Sequence, residues 1–184
     1  MTSPGATRGI LGGTFDPPHN GHVALAKAAL DQLPIDELNV LVIEHPGHRG
    51  VVADPQTRLR LAQAAFPGMS VRLDPHAFTV DAVRAGGFGD DALFVVGADQ
   101  AAGFSHWREP EEVLKRVKLA VGTRAGYPLP DLSRFGDRVV VFELASPDVS
   151  SSEVRKRIAA GEPIDDLVPP EVAKLIEELG LYHS

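Results

Sequence analysis

The chain has 184 residues, 43% of them hydrophobic and 6% aromatic, which suits one compact α/β domain and is short for two with separate cores. It has no cysteine, which excludes disulfides, thiolate zinc sites and cysteine nucleophiles, and no run near the roughly 20 apolar residues of a membrane helix. A formal net charge of -7 without a basic run argues against nucleic acid as a partner, whereas a small anionic ligand is compatible with a locally positive site. The first eight residues, Met-Thr-Ser-Pro-Gly-Ala-Thr-Arg, lack the apolar core and cleavage site of a secretory signal, so the expected location is cytoplasmic.

The first predicted strand, 8–12, ends in Gly12-Gly13-Thr14-Phe15-Asp16-Pro17-Pro18-His19-Asn20-Gly21-His22, and an alanine-rich helical pattern follows at 21–32. Paired glycines let a phosphate approach the backbone, and a helix start offers unpaired N–H groups and the positive end of its dipole. His19 and His22, three residues apart, fall on one side of the first turn and would complete an anion cradle. A plain tight turn with surface histidines and a His-x-x-His metal site stay open, although no third ligand has an obvious helical spacing to the pair.

Strands are then predicted at 38–43, 69–73, 92–97, 117–122 and 138–144, and helices at 55–65, 80–85, 110–116, 151–160 and 170–179. Such alternation predicts a doubly wound, mainly parallel sheet in a single domain, 1–184, with a helical segment at about 150–184 packed on it. Ligands bind such sheets beyond the carboxyl ends of the strands where strand order reverses, which directs attention to the loops after the first and fourth strands. Segments 86–91 and 125–134 read as loops.

The fourth strand leads into Gly97-Ala98-Asp99, where the carboxylate can accept from ribose hydroxyls and the glycine permits close contact with a sugar. Trp107 either stacks on a flat heteroaromatic ring or simply packs, and Arg124 is either a phosphate contact or an ordinary surface arginine. Farther on, Ser150 and Glu153 have capping-box spacing in Asp148-Val149-Ser150-Ser151-Ser152-Glu153-Val154-Arg155, so a helix starts there and Gly161 ends it. Basic residues early in a helix oppose its dipole, but a bound polyphosphate would give the serines and Arg155 a use; a capped surface helix with solvated charges is the alternative.

Residues 12–22 resemble the G-x-F-D-P-x-H-x-G-H signature of the nucleotidyltransferase superfamily, in which the histidines contact ATP phosphates. Residues 149–155 resemble its I-S-S-T-x-I-R signature, with Ser152 in place of threonine. Gly97-Ala98-Asp99 followed by Phe104 and Trp107, and the tail from Leu167-Val168-Pro169-Pro170 to Gly180-Leu181-Tyr182, make nearly the whole chain similar to bacterial nicotinate mononucleotide adenylyltransferases. The resemblance implies a Rossmann-like nucleotidyltransferase fold and transfer of AMP from ATP to nicotinate mononucleotide, giving nicotinate adenine dinucleotide and pyrophosphate.

It further implies that His19, His22 and Arg155 are catalytic, and that Gly12, Gly13, Thr14, Phe15, Gly97, Asp99, Ser150, Ser151 and Ser152 surround ATP. His48, Arg49, Thr79, Trp107 and Arg124 fall on the acceptor side. The implied cofactor is Mg²⁺, held mainly by ATP phosphates and water, with no protein ligand assigned. The implied partners are ATP and a small phosphorylated acceptor, with neither nucleic acid nor membrane, and a homo-oligomer stays open. The chain departs from the family pattern on the acceptor side. Glu44-His45-Pro46-Gly47-His48-Arg49 replaces a proline-rich turn ending in His-Lys, Ala77-Phe78-Thr79-Val80-Asp81-Ala82 replaces Ser-Tyr-Thr-x-Asp-Thr, and 73–94 is short. These departures leave room for a related adenylyl- or cytidylyltransferase using another phosphorylated acceptor, such as phosphopantetheine, or an inactive nucleotide-binding sensor.

Overall fold

A computed structural model describes residues 5–47, 50–124 and 128–184. Its centre is a six-stranded parallel sheet of β1 (Arg8–Gly13), β2 (Glu37–Ile43), β3 (Ser70–Asp74), β4 (Leu93–Gly97), β5 (Lys118–Thr123) and β6 (Val139–Glu143). The order is β3-β2-β1-β4-β5-β6, so the chain steps one way from β1 and the other way from β4. The carboxyl ends of β1 and β4 therefore flank the reversal, where doubly wound sheets bind ligands.

The helices are α1 (Asn20–Gln32), α2 (Pro55–Ala65), α3 (Thr79–Ala85), α4 (Ala98–Ala102), α5 (Pro110–Arg116), α6 (Ser151–Ala159) and α7 (Pro170–Leu179). Successive strand residues point to opposite faces, and both faces of the central strands are covered, which is why β2, β4 and β5 read as largely apolar runs, whereas the edge strands β3 and β6 keep exposed residues. Leu11, Val40, Val42 and Val95 face a core shared with Leu25, Leu61, Val154 and Ile176, whereas Ile10, Leu41, Phe94 and Val96 face Val80, Ala101, Val113 and Leu114. Every predicted strand and helix is present, with ends displaced by at most one residue.

Three short elements escape the sequence pattern: α4 and the 3₁₀ turns Phe104–His106 and Ser133–Arg138. The last of these occupies part of a segment expected to be loop. The α4 stretch is five residues between glycines, too short to show helical periodicity.

The C-terminal region docks on the start of α1. Asn20 N–H donates to the Leu167 carbonyl at 2.8 Å, while Leu167, Val168, Val172, Ile176 and Tyr182 join the core on that face. At the other end of α1, the Gln32 amide both donates to the Glu143 carbonyl (2.6 Å) and accepts its N–H (3.0 Å), occupying backbone groups of the edge strand β6.

Candidate active site

The turn after β1 holds the tightest polar geometry. His19 is the N-cap of α1, where Ser, Thr, Asp or Asn usually stands, and its Nδ1 accepts the Gly21 N–H at 3.1 Å. His22 returns the bond, its Nδ1 accepting the His19 N–H at 3.1 Å. The rings stack with centroids 3.7 Å apart. Gly21 makes this possible, because a Cβ there would come within 2.9 Å of the His19 ring.

With both Nδ1 atoms accepting from backbone, each neutral ring carries its proton on Nε2 and can donate from there. Burial favours the neutral form, lowering the His19 pKa to about 4 and holding His22 well below its usual value, where the neighbouring His19 adds to the effect. Phe15, in the left-handed region at φ 51°, packs its buried ring edge-on against His22 and Phe66, so its side chain supports the histidine from the core.

The start of α6 is stitched to this turn. Ser150 caps α6 by accepting the Glu153 N–H at 3.1 Å, and Gly161 lies just past the C-cap with φ 71°. Only half of the expected capping box forms, because the Glu153 carboxylate pairs with Arg157 at 3.3 Å. The Ser151 hydroxyl donates to the Pro17 carbonyl (2.8 Å), and Arg155 donates to the Asp16 carbonyl (2.6 Å) and to Ser152 Oγ (3.3 Å). Arg155 thus reaches back past the helix start to the β1 turn.

A cleft of about 260 Å³ opens between the ends of β1, β4 and β5. It gathers His19, His22, Gly97, Asp99 and Arg124, with Val149 marking where α6 begins. Arg124, assigned by resemblance to the acceptor, lies with Asp99 and the histidines, its guanidinium 3.9 Å from Asp148. Gly12, Gly13 and Thr14 form the adjacent end of β1. Of the expected site residues, Gly12, Gly13, Thr14, Phe15, Thr79, Trp107, Ser150, Ser151, Ser152 and Arg155 are not part of the cleft lining. Thr79 begins α3, and the half-buried Trp107 packs on Phe94 and Phe104 at centroid distances of 6.0 and 5.0 Å. His48 and Arg49 lie outside the described residues. Among the described residues, no group of three His, Asp or Glu side chains is placed to hold a metal, and no helix is long and apolar enough to cross a membrane.

Sequence reasoning missed Asp16, Arg58 and Tyr182, which are buried around the same turn. A signal existed for Arg58. It shares the 58, 61, 62, 65 stripe of α2 with Leu61, Ala62 and Ala65, a core-facing phase.

A parallel sheet carrying a phosphate-type turn at its reversal point defines a nucleotide-binding α/β protein, and the cytidylyltransferase-like family model accordingly matches residues 10–157. A protein of Bordetella avium is 37% identical over 192 residues, covering 95% of this chain and 96% of its own. One of Rhodopirellula baltica is 36% identical over 197 residues, covering 95% and 92%. Both are described as probable nicotinate-nucleotide adenylyltransferases, and this chain belongs to that family. The fold also matches a solved Plasmodium falciparum nicotinic acid mononucleotide adenylyltransferase complexed with NaAD, with a TM-score of 0.73 at 16% identity, covering 96% of this chain and 97% of that one.

Proposed function

We propose that the protein transfers AMP from ATP to nicotinate mononucleotide, forming nicotinate adenine dinucleotide and pyrophosphate. The observation that carries this reading is the pair of neutral, stacked histidines whose Nδ1 atoms are committed to the start of α1. Their Nε2–H groups are preorganised donors for phosphate oxygens, and the N–H groups at the starts of α1 and α6 add positive potential. A phosphate oxygen of the acceptor attacks the α-phosphorus of ATP, the bond from that phosphorus to the bridging oxygen breaks, and pyrophosphate leaves with the bonding electrons.

In this reading His19 and His22 serve the transferring and leaving phosphates, while Ser151, Ser152 and Arg155 bind the triphosphate end. Asp99 takes the ribose of ATP. Arg124 belongs on the ATP side, because it shares the cleft of Asp99 and His22. Thr79, Trp107, His48 and Arg49 are left for the acceptor. Magnesium, when bound, would be held by ATP oxygens and water, in keeping with its habit of retaining substrate oxygens, and would offset charge on the phosphates. The same proposal takes 1–184 as one catalytic domain acting in the cytoplasm.

Pyrophosphate release from ATP and Mg²⁺ with a panel of acceptors tests the function. Nicotinate mononucleotide should be used most efficiently. Preference for phosphopantetheine, or nucleotide binding without turnover, would refute it.

A further inference from the structure

Asp16, Arg58 and Tyr182 have no role in the chemistry above, yet all three are buried against the turn that carries the histidines. That turn bends at Phe15, whose φ of 51° lies in the left-handed region. A bulky side chain rarely adopts this conformation, which persists only where the surroundings over-determine it. The bend folds the Phe15 ring back over Gly13, so closely that a Cβ there would come within 3.1 Å of it. From this position the ring meets His22 edge-on at a centroid distance of 5.0 Å. The His19 amide holds one edge of the His22 imidazole and the His19 ring one face, and Phe15 adds a contact from the core.

The residues on either side of Phe15 are each held by a buried polar side chain. Before it, the Thr14 carbonyl accepts from Arg58 Nη1 at 3.0 Å. The fully buried guanidinium is itself fixed by donating to the carbonyls of Ala53 (3.0 Å), Ile43 (2.6 Å) and Glu44 (2.8 Å). After it, the Asp16 carboxylate accepts the Val52 N–H (2.7 Å), the Ala53 N–H (3.1 Å) and the Tyr182 hydroxyl (2.7 Å). Burial and that bond to Asp16 push the tyrosine pKa upward, so the phenol stays protonated as a donor. Val52 and Ala53 lead into the cap of α2 and Tyr182 follows α7, so the bend is anchored by residues that do not line the cleft. Buried charges often stabilise less than apolar residues of similar volume, so stability alone is a weak reason to keep a guanidinium and a carboxylate here.

We infer that Arg58, Asp16 and Tyr182 are positioning residues for His22: they hold Thr14 and Asp16 on either side of Phe15, keep the Phe15 backbone left-handed, and so keep its ring against the imidazole. The inference rests on the proposed function, in which His22 Nε2–H donates to a phosphate oxygen as charge develops there. Such a donor must meet the charge at hydrogen-bond distance, and misplacement by about 1 Å can cost roughly a hundredfold in rate.

Tyr182→Phe removes one O–H and little volume. Well below its Tm and with both substrates saturating, single-turnover adenylylation should run about tenfold slower than in the wild type, while the Kd of a non-hydrolysable ATP analogue stays within about twofold. The same substitution in a His22→Ala background should change the rate by less than about twofold, because the residue through which it acts is gone. A purely structural role requires equal losses in both backgrounds. Arg58→Lys keeps the charge but offers one nitrogen in place of a fork that reaches four carbonyls, and should repeat the pattern with a larger loss. If that variant fails to fold, Asp16→Asn takes its place beside Tyr182→Phe. Undiminished turnover in Tyr182→Phe overturns the inference, as do equal losses with and without His22, or an analogue Kd weakened as much as the rate. A His22→Ala protein with normal turnover overturns the catalytic reading of His22 and this inference together; a slow His22→Ala protein beside an unaffected Tyr182→Phe overturns the inference alone.

Discussion

The β1 turn and the surface around α3 and α5 are built by different means. At the β1 turn, four side chains are tied to backbone: His19 to Gly21, His22 to His19, Ser151 to Pro17 and Arg155 to Asp16. Around α3 and α5, the ties run between side chains at the surface. Arg84 pairs with Glu109 at 2.8 and 3.1 Å, and Arg108 lies 4.8 Å over the Phe78 ring. Backbone ties survive substitution of neighbouring side chains, whereas side-chain ties change with each substitution. The ties of the β1 turn can therefore stay fixed while those around α3 and α5 change.

The strongest test of that contrast is His22→Ala. Loss of a preorganised donor should lower kcat by about 10²–10³ while ATP affinity, titrated directly on the folded variant, changes little. Near-normal single-turnover chemistry with merely weaker ATP binding would make His22 a ground-state contact.

Acid offers the next largest effect. His19 titrates lower in the fold than in the unfolded chain, so the unfolded chain binds the extra proton first. The stabilising contribution is complete above about pH 6.5 and is lost as pH falls toward about 4; at pH 5 the loss is about 2 kcal/mol, or roughly 4–8 °C in Tm. A His19→Asn variant, which keeps a capping side chain, should lose this pH dependence in thermal unfolding. An unaltered dependence would assign the acid sensitivity to other groups.

On the acceptor side, Trp107→Ala should raise acceptor Kd about tenfold and lower stability by roughly 1–3 kcal/mol, because the ring contacts two aromatic neighbours. A drop in Tm alone would reduce Trp107 to packing. The smallest effect is expected of Arg84→Ala. Its bidentate partner is exposed, so Tm should stay within error. A large fall in Tm would show that surface pairing, too, is structural.

The same division explains what the sequence made legible. The strand rhythm was readable because strands covered on both faces become apolar runs, and the β1 turn was readable because its parts are consecutive in the chain. Ser150 announced the start of α6 for the same local reason. Tyr182, by contrast, meets Asp16 across 166 residues, a pairing that no local pattern encodes. Arg58 and Arg60 look alike in Pro55-Gln56-Thr57-Arg58-Leu59-Arg60, and only the phase of α2 separates the buried one from its exposed neighbour. Arg124 was legible as a candidate, but that it lines the cleft beside Asp99 depends on how β5 sits beside β4.

The stacked histidines carry one more consequence. A ring whose Nδ1 already accepts a backbone N–H, and whose Nε2 bears the proton, has no vacant nitrogen with which to act as a base. Protonating it at Nδ1 would expel the Gly21 or His19 amide and fray the first turn of α1. Such a pair lends hydrogen bonds without exchanging protons, so adenylyl transfer at neutral pH should run at nearly the same rate in heavy water as in light water. A large solvent isotope effect on the chemical step would mean that one ring lets go of the backbone during turnover.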